Sequence, residues 1–224
     1  MGVHEWLLQR GHKYKVVPEL HQWLAVYKYA SDVAAEEFCV SRSLETCVAK
    51  RAIAPTGTIG IMACTSTGIE PLFATAYKRR YLTTGNSWHF QLVVDGTAKH
   101  LIEKYDIHSD KIETALDLAA EPERRIKFQA DIQEYVDMGI SSTINLPPWG
   151  SELNNEDKVK EFATIIARHA HRLRGLTMYP DGARNGQPLT PVPYNLATQH
   201  EGEEFEEKFM DVCEYSGKSG SCSS

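Results

Sequence analysis

The sequence predicts an α/β fold, rich in helix and sparing in strand. A short β-branched stretch, 140–146, and a second short stretch, 175–179, each run into a proline turn, as strands do. Between them, 154–173 places Val159, Phe162, Ala163, Ile166, Ala170 and Leu173 on one helical stripe. A further helical segment precedes the pair, so the order is helix, strand, helix, strand, the α/β pattern.

The elements follow in order. Residues 2–10 carry Val3, Trp6 and Leu7 at helical spacing, with Gly11 as a terminator. Pro18 opens a helix over 18–30 with Leu20, Trp23, Leu24 and Tyr27 on its apolar face. Residues 31–50 continue in helical style from a cap at Ser31 or Asp32. The character changes at 51–54, read as a strand, and then at the loop that follows. Helices are expected at 86–104, at 109–120 and, from Pro122, over 122–138, ending at Gly139. Residues 196–224 read as a separate acidic and Gly/Ser-rich tail, flexible by composition. Three strands fall short of the roughly five or six of a typical sheet. Together with a start inside an amphipathic helix, this suggests a part of something larger.

Composition bounds the function. A net charge of -6 argues against a nucleic-acid footprint, which would be basic. No apolar run is long enough for a membrane span, and the N-terminus lacks the basic and apolar regions of a secretory signal. The five cysteines are odd in number and widely spaced, which fits a reduced cytoplasmic protein. The histidines show no metal-binding spacing and read as surface residues; His169 and His171 face different directions on their helix. Arg79, Arg80, Arg124 and Arg125 could meet phosphates or neighbouring carboxylates.

The most informative stretch is "RAIAPTGTIGIMACTSTGIEPLF", Arg51 to Phe73. Gly57 and Gly60 allow the backbone to approach a ligand closely, and Thr56 and Thr58 add hydroxyls. If a helix begins near Ile59, its unpaired N–H groups point back at the loop and can hold an anion without a lysine. An ordinary strand-to-helix turn would have the same composition. The Walker A pattern is absent.

This loop has companions. "APTGTIG", "TSTGIEPLFATAYKRR", "QEYVDMGISSTINLP" and "GLTMYPDGARNG", in this order, resemble the C-terminal half of ribonucleotide reductase large subunits. The adenosylcobalamin-dependent (class II) branch is the most similar, and "MGVHEWLLQRG" resembles a helix that lies mid-chain in that family. The resemblance implies a partial ten-stranded α/β barrel, its C-terminal half, over residues 1–195. It implies that Thr56, Gly57, Thr58 and Ile59 hold the substrate's phosphates, with Ser66–Pro71 supporting them. Ser142, Thr143, Asn145 and Pro147 would belong to a barrel strand, as core and wall. The implied partners are a ribonucleotide, adenosylcobalamin and a thioredoxin-type reductant, with the cofactor bound mainly by an N-terminal half.

The chemistry of the family needs a thiyl-radical cysteine, usually in an N-x-C-x-E stretch, and no such stretch occurs here. Cys39 and Cys47 fall on helical pattern and read as buried, inert thiols, and Cys64 reads as a small core residue. Cys213 and Cys222 lie in the tail, where exposure and slack suit a swinging dithiol that re-reduces the active site; two unpaired tail cysteines are the alternative. The expectation is therefore a fragment that contributes the phosphate loop and barrel wall and is inactive alone. A catalytically silent remnant that binds nucleotide phosphate or serves in assembly is the alternative.

Overall fold

The structure is a computed structural model that describes residues 1–82, 88–181 and 189–205. Helix α1 spans Val3–Gln9 and buries His4, Leu7 and Leu8. Helix α2, Pro18–Ser41, is one continuous helix of 24 residues. It joins the two helical segments expected at 18–30 and 31–50 and stops short of 42–50. A short α3, Gly57–Met62, follows the loop. Strands β1, Ala76–Leu82, and β2, Trp88–Val94, pair as an antiparallel hairpin. Then come α4, Gly96–Tyr105, the short α5, Ala115–Ala119, and α6, Pro122–Gln133. Strand β3, Thr143–Leu146, leads through α7, Val159–Ala170, to β4, Thr177–Pro180. Strand β5, Leu189–Pro191, helix α8, Tyr194–Gln199, and β6, Glu204–Phe205, complete the described chain.

β3 and β4 are parallel and in register from Thr143 opposite Thr177 to Leu146 opposite Pro180. Parallel neighbours require a crossover, and α7 supplies it, packing Phe162, Ile165 and Ile166 over buried Ile126, Ile144 and Leu146. Ile53 meets Ile140 in an isolated parallel bridge, so the three expected strand stretches have become one short parallel pair and a single bridge. The second sheet was not expected. Its order is β5-β1-β2-β6, with every pairing antiparallel. Residues 88–94, expected as helix, are strand. Trp88, His89, Phe90 and the Val93-Val94 pair are residue types that suit a pleated, half-buried surface, and cross-strand pairing overrode their helix-like spacing.

The main core lies between α1, α2 and α6. Leu7, Tyr14, Leu20, Phe128 and Ile132 meet there, with the Tyr14 and Phe128 rings 3.9 Å apart. α6 is buried nearly all round, including Arg125 and Gln129. α2 is the opposite case, burying only Leu20 and Cys39. Trp23 and Tyr27, expected on its apolar face toward the core, are 60% and 48% exposed, and Tyr29, Phe38 and Val40 are exposed beside them. Two expected surface histidines are buried instead: His4 and His169. Burial drives the His4 imidazole down to about 3, with Arg125 adding to the effect and Glu113 opposing it.

Candidate functional site

The approach to the loop is anchored by Arg51, whose side chain is almost wholly buried. Its guanidinium reaches Asp32 at 2.7 Å and Asp137 at 2.9 Å, and donates to the carbonyls of Lys28 and Tyr135. Ile53 then exchanges hydrogen bonds with the segment around Ile140: its N–H donates to the Gly139 carbonyl and its carbonyl accepts from the Ser141 N–H. After Pro55 the chain turns sharply at Thr56, which has a left-handed φ of 50°. The Thr56 Oγ1 accepts the Gly68 N–H at 2.8 Å, and the Thr56 carbonyl accepts the Gly60 N–H at 2.8 Å to start α3. The N–H groups of Gly57, Thr58 and Ile59 lie ahead of the first bond of the helix, so they have no intrahelical acceptor. All three residues are exposed.

Close contact holds α3 against the 65–68 turn. A Cβ on Gly60 would stand 2.6 Å from the Thr67 Cγ2, so any larger residue there forces that side chain to shift. Gly68 takes a φ of +49°. The turn is held in its turn by α1, where Thr65 Oγ1 donates to Glu5 and the Gly2 N–H reaches the Ser66 carbonyl at 2.7 Å. Glu70 joins the stretch to the parallel strands: it pairs with buried Arg125 at 2.6 Å and accepts the Thr143 N–H. Arg124 likewise meets carboxylates, Glu113 and Glu121, both at 2.9 Å. Neither arginine is left for a phosphate. Arg80 lies over the Trp88 ring at 3.8 Å, and Arg79 donates to Gln91.

Beside the loop lies a cavity of about 450 Å³. Gly60 and Cys64 form one wall, Thr143 and Asn145 of β3 another, and Val94, Asp95 and Thr97 a third. Thr56 to Ile59 do not line it; they stand at the start of the helix whose later residues do. Asp95 caps α4 by accepting the N–H groups of Thr97 and Ala98, each at 3.0 Å. Burial nevertheless pushes its carboxyl above the usual range. Sequence reasoning passed over Asp95, although "VVDGTAKH" carries a cap signal directly before a helix.

The cysteines depart from expectation. Cys64 is no core residue: it is exposed, has a left-handed φ of 49° and lines the cavity. The turn that ends α3 carries it outward. Cys39 is buried as expected, whereas Cys47 is exposed, because α2 ends at Ser41 and the chain runs on in irregular form. Cys213 and Cys222 lie outside the described residues.

Comparison with known proteins bears on what this arrangement is. Residues 49–179 match the family described as "Ribonucleotide reductase, barrel domain". The chain belongs to that family. The reductase match takes in the whole of the loop, the Ser66–Pro71 turn and both parallel strands up to Tyr179. A vitamin B12-dependent ribonucleoside-diphosphate reductase from Mycobacterium tuberculosis is 30% identical over 67% of this chain and 24% of its own length. A putative adenosylcobalamin-dependent ribonucleoside-triphosphate reductase of Mycobacterium phage D29 is 25% identical over 91% of this chain and 32% of its own. A crystal structure titled as a B-12 dependent (class II) ribonucleotide reductase superposes with a TM-score of 0.65 at 14% identity. It covers 90% of this chain, which spans 32% of that structure, and it bears on the fold alone. The chain thus spans about a quarter to a third of the length of these relatives.

Proposed function

We propose that this chain supplies the substrate-phosphate loop and part of the barrel wall of a cobalamin-dependent ribonucleotide reductase, and that it works only with an N-terminal segment bearing the radical cysteine. The observation that carries this is the pinned loop. Gly57, Thr58 and Ile59, all exposed residues, present consecutive N–H groups at a helix start, and the Thr56–Gly68 bond and the Gly60 contact fix their direction. Such donors hold a diphosphate or triphosphate by hydrogen bonds and by the partial positive charge of the helix start. The sugar and base would extend toward the adjoining cavity, whose volume lies in the usual range for a small-molecule site.

The parallel β3–α7–β4 unit and the Ile53–Ile140 bridge support a place in the later part of a ten-stranded barrel. The exposed face of α2, with Trp23, Tyr27 and Phe38, supports a covering segment, since a monomer seldom leaves such a face to water. The sequence carries no N-x-C-x-E stretch, so hydrogen abstraction from the ribose is assigned to that other segment. Adenosylcobalamin, named for the relatives, exceeds the cavity in size. The cofactor is therefore assigned to the remainder of the enzyme, and no step here runs through it. Cys213 and Cys222 are assigned the passage of electrons from a thioredoxin-type protein.

Titration with a nucleoside diphosphate, followed by amide chemical shifts, tests the loop. Gly57, Thr58 and Ile59 are expected to move together. Thr58→Pro, which removes one N–H, should abolish the response. Unchanged shifts at millimolar ligand in a sample reconstituted with the N-terminal segment would overturn the assignment.

A further inference from the structure

A second thiol pair is assembled by the reversal after α2. Cys39 sits in the last turns of that helix and is 2% exposed. Ser43 takes a left-handed φ of 54°, and the Leu44 N–H returns to the Cys39 carbonyl at 2.9 Å. This reversal brings Cys47 back over the helix end, where its Sγ stands 3.7 Å from that of Cys39. Residues 41–49 are all exposed, so the segment is free to make the shift of about 1.7 Å that separates this contact from an S–S bond of about 2.05 Å. Just beyond it the chain is fixed, because Lys50 and Arg51 both bind Asp32 and Arg51 also binds Asp137. The pair is thus a buried sulfur and an exposed one, close together, with the loose side of the ring facing solvent.

We propose that Cys39 and Cys47 form a reversible disulfide, a redox site separate from Cys213 and Cys222. The co-reactant is a low-molecular-weight disulfide such as oxidised glutathione. The exposed Cys47 thiolate attacks one of its sulfurs, a mixed disulfide forms, and one glutathione thiolate leaves. The Cys39 thiolate then attacks the Cys47 sulfur and expels the second glutathione. The two cysteines lose two electrons and two protons, and the oxidised glutathione takes up both as two thiols. In the reduced state the hydrogen bond to Cys39 holds the Cys47 thiol above its ordinary range. The bond would tie the end of α2 to the segment that feeds Arg51 and the phosphate loop.

The full chain, equilibrated in glutathione redox buffers with and without urea, then acid-quenched and alkylated, tests this. Trypsin cuts after Arg42, so the disulfide appears as Tyr29–Arg42 joined to Ser43–Lys50. The joined peptide should dominate in native protein, with an equilibrium constant about tenfold or more above that in urea, because the fold raises the effective concentration of the thiols. Cys64→Ser and the double change Cys213→Ser/Cys222→Ser should leave it in place, and Cys47→Ser, at an exposed site, should remove it. A native constant equal to or below the urea value would overturn the proposal. So would Cys47 recovered chiefly as its glutathione adduct or joined to another cysteine.

Discussion

The Thr56 hydroxyl oxygen accepts the Gly68 N–H at 2.8 Å, and both residues hold left-handed backbone, at φ 50° and 49°. For glycine that conformation is free, whereas for a β-branched residue it costs on the order of 1–2 kcal/mol. The bond is what offsets the strain. Thr56→Ala removes the acceptor and strands a buried N–H, and it should destabilise the chain by about 1–2 kcal/mol in urea unfolding. Thr56→Asn keeps an acceptor and tolerates this backbone better, so it should restore most of the loss. Equal stability of all three proteins would remove the bond from the account.

Two glycines of one helix should behave oppositely. A Cβ at Gly60 meets the Thr67 Cγ2 at 2.6 Å, while one at Gly57 meets nothing within 4 Å. Gly60→Ala should therefore cost about 1–3 kcal/mol through overpacking. Gly57→Ala should be neutral or stabilising by up to about 1 kcal/mol, since it narrows the unfolded ensemble. Adding Thr67→Ser, which deletes the clashing methyl, should recover part of the Gly60→Ala loss. Thermal unfolding of the four proteins checks the pattern.

Much of this was legible in the sequence where local signals and tertiary demands agree. The α6 start at Pro122 and the β3 stretch "TINL" emerged because propensity and turn chemistry agree with the tertiary placement there, and α7 was legible as a helix, although of its expected stripe Phe162, Ile166 and Leu173 pack while Val159, Ala163 and Ala170 are exposed. The loop was legible too, with its helix start two residues earlier than expected. The β1–β2 hairpin was not, because "WHFQLVV" has no strict alternation of apolar and polar residues and only its cross-strand partners make it a strand. The cavity was equally hidden. Cys64, Asp95 and Asn145 lie far apart in sequence, and nothing local announces that they line one cavity.

Acid should weaken the fold through His4. Its folded pKa is depressed from 6.5 to about 3, so the unfolded chain takes up the proton first. The contribution is complete above about pH 6.5 and is lost as pH falls toward 3, up to a few kcal/mol. Glu113, Asp131 and Asp137 are also held low, because Arg124, Lys127 and the Lys50 N–H with Arg51 outweigh the penalty of burial. Their share is lost below the ordinary carboxylate range, and Asp95, raised by burial, acts with the opposite sign as pH falls, so the difference between the wild-type and His4→Asn profiles over pH 7 to 5 isolates the histidine. His4→Asn, which can still accept the Leu72 N–H, should flatten the profile in that window. A profile that keeps its slope would assign the acid sensitivity elsewhere.

Activity should require the segment that carries the radical cysteine, and the tail should matter only for repeated turnover. Radical initiation and hydrogen abstraction need groups for which this sequence has no N-x-C-x-E stretch, so the role proposed for the chain is the phosphate grip and the barrel wall. Reduction of the active-site disulfide after each cycle is a separate step, and its route depends on the reductant. A small dithiol enters the active site directly. A thioredoxin-type protein is too large to enter and must exchange with an exposed dithiol first. Replacing Cys213 and Cys222 with serine in the reconstituted enzyme should therefore spare turnover driven by the small dithiol and stop turnover driven by the protein. Equal loss with both reductants would place the tail cysteines at the reaction centre, and no loss with either would take them out of the electron path. Turnover by this chain alone would overturn the assignment more deeply, because the radical would then have to sit on one of its own five cysteines.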